Sequence, residues 1–343
     1  MAIFLIGGRL LLRMLFGKIE SDVMDVAVIY LLITSISFVF WGLYTSGSAI
    51  LRCHEDTKTS MKISILMNVL NVGLNAYFVF ILNKGVLGVA TATLISRAIA
   101  GVTMKIIVNK SPMVEYSSAN RLQRISGPMI KKILGMGIPS GIENGMFHVG
   151  KIALTSVVAT LGTTLIAANS VAYQIIEFPN IPGNTFGLAL VVIVGQDIGA
   201  GLKDKAVSDT KYLIKLAFVG DWICKILLFI LAPFIVSAFS LSPQAQEAAV
   251  LVLRCFSITS LFIWPLSFTL PSALRGAGDV KYSMIASIIS MWVGRVVVSI
   301  ILIKVFNLGI LGVWIGMFVD WFGRGISYLI RFNSGKWLDK KAV

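Results

Sequence analysis

Glu143 stands inside a mainly apolar stretch, just after Pro139 and together with Asn144, His148 and Lys151. Eight residues separate Glu143 from Lys151, a little over two helical turns, so in a helix the two share a face. His148 follows Asn144 by about one turn. A carboxylate in such a setting can take up a proton or hold a cation, and an ionisable residue inside an apolar span is a functional candidate by default. The same residues can instead form a structural ion pair between helices. Glu177 forms a second centre, with Gln174 one turn and Asn169 two turns before it, and Pro179, Asn180 and Asn184 after it. A proline break frees backbone carbonyls for a cation or a substrate group. Glu177 therefore reads either as an acid facing a cavity, attractive to cationic compounds, or as a rim charge beside a kink. Asp221 with Lys225 and Asp320 with Arg324 are spaced for mutual neutralisation on one helix face. Arg254 and Arg295 read as snorkelling or paired residues.

Enzyme chemistry finds no support. The chain carries no Gly-x-Ser-x-Gly, no Gly-Lys-Ser/Thr phosphate loop and no His-Glu-x-x-His. Cys53, Cys224 and Cys255 make neither a disulfide framework nor metal spacing, and the two histidines, His54 and His148, are far apart. No metal site and no enzymatic cofactor are expected.

The elements that must position these residues are membrane helices. Of 343 residues, 57% are hydrophobic and 13% charged, and the mean hydropathy is +0.87. Soluble domains are roughly 45–50% apolar and about 25% charged, so this chain has too little polar surface to coat a soluble body. A span needs about 20 apolar residues. Such stretches occur near 23–50, 60–82, 85–108, 133–160, 164–196, 212–236, 247–273, 283–305 and 309–331, and 1–16 resembles the end of a further one. The expected fold is all-α, a polytopic membrane helix bundle with about nine or ten transmembrane helices. The long stretch 164–196 holds Pro179, Pro182 and Gly183 and should bend or break there. Nothing at the start reads as a cleavable signal peptide.

The net charge of +14 is distributed by side. Segments 51–62, 105–132, 197–215, 274–282 and 331–343 carry 19 Lys and Arg, whereas the alternate segments carry 3. The positive-inside rule puts the basic side, with the C-terminus, in the cytoplasm of a cell membrane. A nucleic-acid partner is unnecessary to explain the charge.

The chain also repeats itself. Leu51-Arg-Cys-His-Glu-Asp-Thr-Lys-Thr-Ser-Met61 returns 223 residues later as Leu274-Arg-Gly-Ala-Gly-Asp-Val-Lys-Tyr-Ser-Met284, with six of eleven positions identical. Asn83-Lys-Gly-Val-Leu-Gly-Val89 returns as Asn307-Leu-Gly-Ile-Leu-Gly-Val313. Collinear matches indicate two copies of one unit. Six helices per copy is an even number, so both copies enter the membrane in the same direction. That predicts a pseudo-two-fold axis along the membrane normal and a cavity between the bundles. The division expected is an incomplete N-terminal bundle at 1–115, a cytoplasmic linker at 116–132 and a six-helix bundle at 133–343. The first copy lacks about 100 residues by the offset, as in an N-terminally truncated chain or a start placed late.

Several motifs together resemble the MATE family of multidrug and toxic compound extrusion transporters. They are Gly137-Ile-Pro-Ser-Gly-Ile-Glu143, then Leu161-Gly-Thr, Ala167-Ala-Asn, Val194-Gly-Gln-Asp-Ile-Gly-Ala-Gly201 and Leu274-Arg-Gly-Ala-Gly-Asp-Val-Lys281. The resemblance implies cation-coupled antiport, with protons or sodium entering while drug-like compounds leave, and the carboxylates Glu143 and Glu177 favour cationic ones. It places an acid at Glu143. Some members of that family carry an acid in the span that matches 247–273, where this chain has none after Glu247. The coupling-ion and substrate candidates are accordingly Glu143, Asn144, His148, Lys151, Gln174, Glu177 and Asn180, with Phe147, Tyr173, Phe178, Phe186 and Trp264 as aromatic lining. Gln196, Asp197 and Gly199, and Arg275, Gly278, Asp279 and Lys281, read as structural or gating turns, the second group with its own charge pairing. A lipid-linked saccharide flippase of similar fold is the alternative. Its cavity should be ringed by Arg and Lys, against which the carboxylates and amides weigh, with Lys151 the main exception. A fragment that transports nothing is a third reading. Partners are small organic molecules and membrane lipids, with no obligate protein partner implied.

Overall fold

The computed structural model describes residues 7–10, 12–13, 21–111 and 126–339. The span remnant expected at 1–16 is described only at 7–10 and 12–13, where it is helical, and residues 116–125 of the expected linker lie outside the described residues. No strand occurs among the described residues. From residue 21 onward the chain forms α1 Ser21–Cys53, α2 Thr57–Ile81, α3 Gly85–Lys110, α4 Gly127–Ala159 and α5 Thr163–Ile175. It continues with α6 Ile181–Gly199, α7 Lys203–Ser237, α8 Pro243–Gly276, α9 Val280–Lys304 and α10 Gly309–Asn333.

Among the described residues, seven helices are long and apolar enough to cross a membrane, namely α1, α2, α3, α6, α7, α8 and α9. Of the others, α5 has only 13 residues. The remaining two, α4 and α10, carry Glu143 and Lys151, and Asp320 and Arg324, in mid-helix. Outward faces are apolar, with Phe80, Ile223, Phe234 and Ile330 exposed, as a lipid environment requires.

The break expected in 164–196 is present. Helix α5 ends at Ile175 and α6 begins at Ile181, with Pro182 in its first turn. Proline suits that position because the first N–H groups of a helix have no partner within it.

The chain divides into two compact units, Met1–Gln123 and Arg124–Val343. In the first, α3 packs along both α1 and α2, around Tyr44, Leu51, Ile63, Met67, Ala100 and Met104. A Cβ on Gly101 would sit 2.5 Å from the Phe40 carbonyl oxygen. Glycine there lets two helix backbones touch, which is how membrane helices pack without a hydrophobic driving force. Several polar groups inside the unit pair with one another. Arg97 donates to Ser37 Oγ at 2.8 Å and lies over the Trp41 ring at 5.0 Å, and Asn71 donates to Ser96 Oγ at 3.2 Å.

In the second unit α6, α7 and α8 pack on one another, α5 packs on α8, and α10 packs on α8 and α9. The core runs through Phe256, Trp264, Trp314, Met317 and Trp321. Two helices here contain π-helical turns, Pro265–Thr269 in α8 and Ser290–Val297 in α9. In α8 the turn begins at a proline, whose missing N–H removes one rung of the α-helical ladder.

The repeated sequence has matching backbone geometry. Asp56 N–H donates to Leu51 O and Asp279 N–H to Leu274 O, both at 2.9 Å. The residue before each aspartate is left-handed, Glu55 at φ 65° and Gly278 at φ 89°. Downstream, Asn83 and Gly85 are left-handed at φ 50° and 49°, and so are Asn307 and Gly309, both at 53°. The copies differ in how the aspartate is used. Asp56 caps α2 by accepting from Thr59 N–H at 3.0 Å, and those Thr59 hydrogen bonds hold its carboxyl below the ordinary aspartate value. Asp279 instead receives Arg331 Nε at 2.7 Å.

Candidate functional site

Helices α4, α8, α9 and α10 of the second unit, with the α5–α6 break, line two cavities of about 200 Å³ each. Phe147 and Phe268 belong to both. The first is lined by Glu143 and Asn144 from α4, Arg275 from α8, and Arg324 and Tyr328 from α10. The second is lined by Lys151 from α4, Tyr173, Glu177 and Asn180 around the break, Trp264 from α8 and Arg295 from α9.

Asp320, fully buried, ties these walls together. Its carboxylate accepts from Arg324 Nη2 at 2.9 and 3.2 Å and meets Arg295 Nε at 3.1 Å. The two guanidiniums also lie over the Phe147 ring, at 5.3 Å for Arg295 and 5.7 Å for Arg324. Arg324 lies 5.2 Å from the Phe268 ring as well, and Phe268 stacks on Trp264 at 4.9 Å. Cation and ring faces alternate here, an arrangement that relieves the burial of charge. Behind Trp264, Lys225 and Asp221 form a fully buried pair at 2.7 Å. Asp221 also accepts from Gly183 N–H at 3.1 Å, and Thr269 Oγ1 donates to Gly183 O at 3.0 Å. A Cβ on Gly183 would collide with the Trp264 ring. The α6 start is thus fixed to α7 and α8 beside the second cavity.

Glu143 is the loosest of the buried acids. It is 9% exposed, its Oε2 has no hydrogen-bond partner, and Arg275 Nη1 lies 3.7 Å away.

The structure brings some of the expected residues together and separates others. Glu143, Asn144, Lys151, Glu177 and Asn180 all line a cavity, and Asn180 is buried with its Oδ1 unpartnered. His148 does not line either cavity and is exposed. It follows Glu143 by five residues, about 140° around the helix from it. Gln174 is also exposed and outside both cavities, because α5 ends at Ile175 and its face does not continue to Glu177. Among the aromatics, Phe147, Tyr173 and Trp264 line a cavity, whereas Phe178 is exposed and Phe186 lies outside both. The turn at 274–281 does not pair its own charges. Arg275 leaves it for Glu143 and Asp279 takes Arg331 from α10. Gly278 supplies the left-handed residue of that turn. Gln196 and Gly199 lie in the last turns of α6, where Asp197 pairs with Lys205 across to α7 at 3.1 Å. Lys151 is not the main basic exception, since Arg275, Arg295 and Arg324 also line the cavities. The lining residues that sequence reasoning missed include Phe268, Trp321 and Tyr328.

A profile of the MatE family matches residues 1–77 and 139–301. The chain belongs to the MatE family. Members of this MATE multidrug efflux family are multi-pass membrane transporters, not enzymes. The chain is 28% identical over 334 residues to the probable multidrug resistance protein NorM of Thermotoga maritima, covering 96% of this chain and 71% of that protein. It is 27% identical over 333 residues to the uncharacterized transporter YisQ of Bacillus subtilis, covering 95% and 72%. Its fold is similar to the crystal structure of a MATE in complex with MaL6, at TM-score 0.87 and 23% identity, over 98% of this chain and 74% of that one. A MATE transporter in an outward-facing conformation aligns at TM-score 0.86 and 23% identity, over 97% and 73%. Among the described residues, no three His, Cys, Asp or Glu cluster as a metal site.

Proposed function

We propose that this MATE chain is a secondary antiporter that exports organic, drug-like compounds in exchange for protons or sodium by alternating access. The observation that carries the reading is Glu143, a buried carboxylate on a cavity wall with one oxygen unpartnered and only a distant Arg275. Such an acid can change partners. A proton, a sodium ion or the amine of a cationic substrate competes for it, and competition for one carboxylate makes the two occupants mutually exclusive. That exclusion is what exchange needs. Phe147, Phe268, Tyr173 and Trp264 suit flat aromatic bodies, and Glu177 and Asn180 add polar contacts beyond them.

The flippase reading gains one specific observation, four basic side chains on the cavity walls. Three of them already face an acid, Arg295 and Arg324 at Asp320 and Arg275 at Glu143. Only Lys151 remains for a pyrophosphate, so the export of organic cations is the better supported reading.

Cells expressing the protein should expel a fluorescent organic cation. Glu143→Gln should lower the initial efflux rate at least about tenfold, equivalent to about 1.4 kcal/mol. Undiminished efflux by this variant retires Glu143 as the exchange site.

The bias of Lys and Arg supports a cytoplasmic C-terminus and cytoplasmic turns at 54–56 and 277–279. In a variant with Cys53, Cys224 and Cys255 replaced by serine, Lys281→Cys should resist an impermeant maleimide in intact cells and react once they are opened. Labelling of intact cells inverts the topology.

A further inference from the structure

One opening in the C-terminal unit is separate from the charged cavities. It is a groove of about 510 Å³ along one face of α7, closed by Leu266 and Leu270 of α8 and Leu329 and Phe332 of α10. Its floor on α7 runs from Thr210 to Trp222 through Ile214, Phe218 and Val219. At 1.5 Å per residue the floor is about 18 Å long, of which the apolar part from Ile214 to Trp222 takes about 12 Å. Trp222 is held in place by donating from Nε1 to Leu261 O at 2.8 Å.

One end of the groove is basic. Lys211 and Lys215 line it one turn apart, both exposed, and no Asp or Glu lines it. Neither lysine has an acidic partner among the described residues. Two like charges one turn apart on a helix repel, so an anion placed between them is favoured. Asn333, in the last turn of α10, adds an amide to the lining. A soluble anion would leave the apolar length of the groove unfilled. A ligand with an anionic head and a long apolar tail fits both ends.

We propose that this groove binds an anionic glycerophospholipid of the surrounding bilayer, with the phosphate at Lys211 and Lys215 and one acyl chain along Ile214, Phe218 and Trp222. Head and tail act together. The lysines select the charge, and the apolar stripe requires the chain to remain in the membrane.

The test uses the full chain in vesicles made with phospholipids brominated along the acyl chain, bearing either phosphatidylglycerol or phosphatidylcholine headgroups. Bromine quenches tryptophan on contact. The Trp222 contribution is isolated as the difference between the parent and Trp222→Phe. Half-maximal quenching of Trp222 should need about tenfold less phosphatidylglycerol than phosphatidylcholine, since each lysine near an anionic headgroup adds to binding. The double substitution Lys211→Gln with Lys215→Gln should raise the phosphatidylglycerol requirement to that of phosphatidylcholine. Equal quenching by the two lipids in the parent overturns the proposal, and so does a preference that survives loss of both lysines. Absence of lipid quenching, together with cross-linking of two copies through Lys211→Cys, assigns the groove to a second copy of the chain and overturns the lipid site.

Discussion

Replacing Asp320 with asparagine should abolish most of the folded C-terminal unit. The substitution barely changes size, so steric effects are small. What changes is charge, because Arg295 and Arg324 lose the one carboxylate between them while remaining almost fully buried. Breaking a buried ion pair by removing one partner costs about 3–5 kcal/mol. Here two guanidiniums share the partner, and their other neighbours are the rings of Phe147 and Phe268, which stabilise cations less than a carboxylate does. Folded proteins exceed their unfolded states by only about 5–15 kcal/mol. Asp320→Asn should therefore yield little monodisperse protein in gel filtration and a greatly lowered thermal midpoint. A triple variant with Arg295→Met, Asp320→Leu and Arg324→Met should recover much of the lost yield, because no buried charge is left unpaired. Parent-like stability of Asp320→Asn would show that the arginines reach water or another anion.

The second large effect should appear at Asp221 and Lys225. Both are buried completely, and each is the other's main partner. Asp221→Leu strands an ammonium beside Trp264, and Lys225→Leu strands a carboxylate beside Gly183. Each single change should cost about 3–5 kcal/mol. The double variant Asp221→Leu with Lys225→Leu should be clearly more stable than either single variant, with a coupling energy of at least about 2 kcal/mol in a double-mutant cycle. Recovery should be incomplete, because Gly183 N–H loses its acceptor, a deficit of about 1–3 kcal/mol for a buried donor. Additive losses in the cycle would mean that the two residues act independently. Chemical denaturation in detergent, followed by tryptophan emission, measures all four corners.

These two centres show where the sequence was readable and where it was not. Both contain a pair four residues apart, and local spacing is enough to recognise Asp221 with Lys225 and Asp320 with Arg324. The apolar runs gave the helices, and Pro179 with Pro182 marked the break between α5 and α6. The third member of the Asp320 centre is different. Arg295 lies 25 residues away, on the π-helical turn Ser290–Val297. A π turn inserts an extra residue and rotates everything beyond it, so counting at 3.6 residues per turn misplaces the side chain. Nothing local in the sequence shows which way it turns. Phe268 was missed for a related reason, since it belongs to the π turn that starts at Pro265. The proline was the available signal. Glu143 and Arg275 are separated by 132 residues, and only the tertiary fold, in which α4 packs on α9, brings them within 3.7 Å. His148 turns away from both cavities by simple rotation around α4. The family motifs located turns correctly in the chain but did not reveal where their charges point.

The paired turns after α1 and α8 have a consequence for how this protein came to be. Left-handed backbone is easy for glycine and unfavourable by roughly 1–2 kcal/mol for other residues. One copy uses Gly278 there, while the other keeps the same conformation with Glu55. The ancestral duplication is thus recorded more faithfully in the main-chain torsions than in the residues that most readily produce them. The Asn83 and Asn307 turns keep both the torsions and the residue. At the turns of Glu55 and Gly278 the shared conformation remains legible although the side chains have diverged.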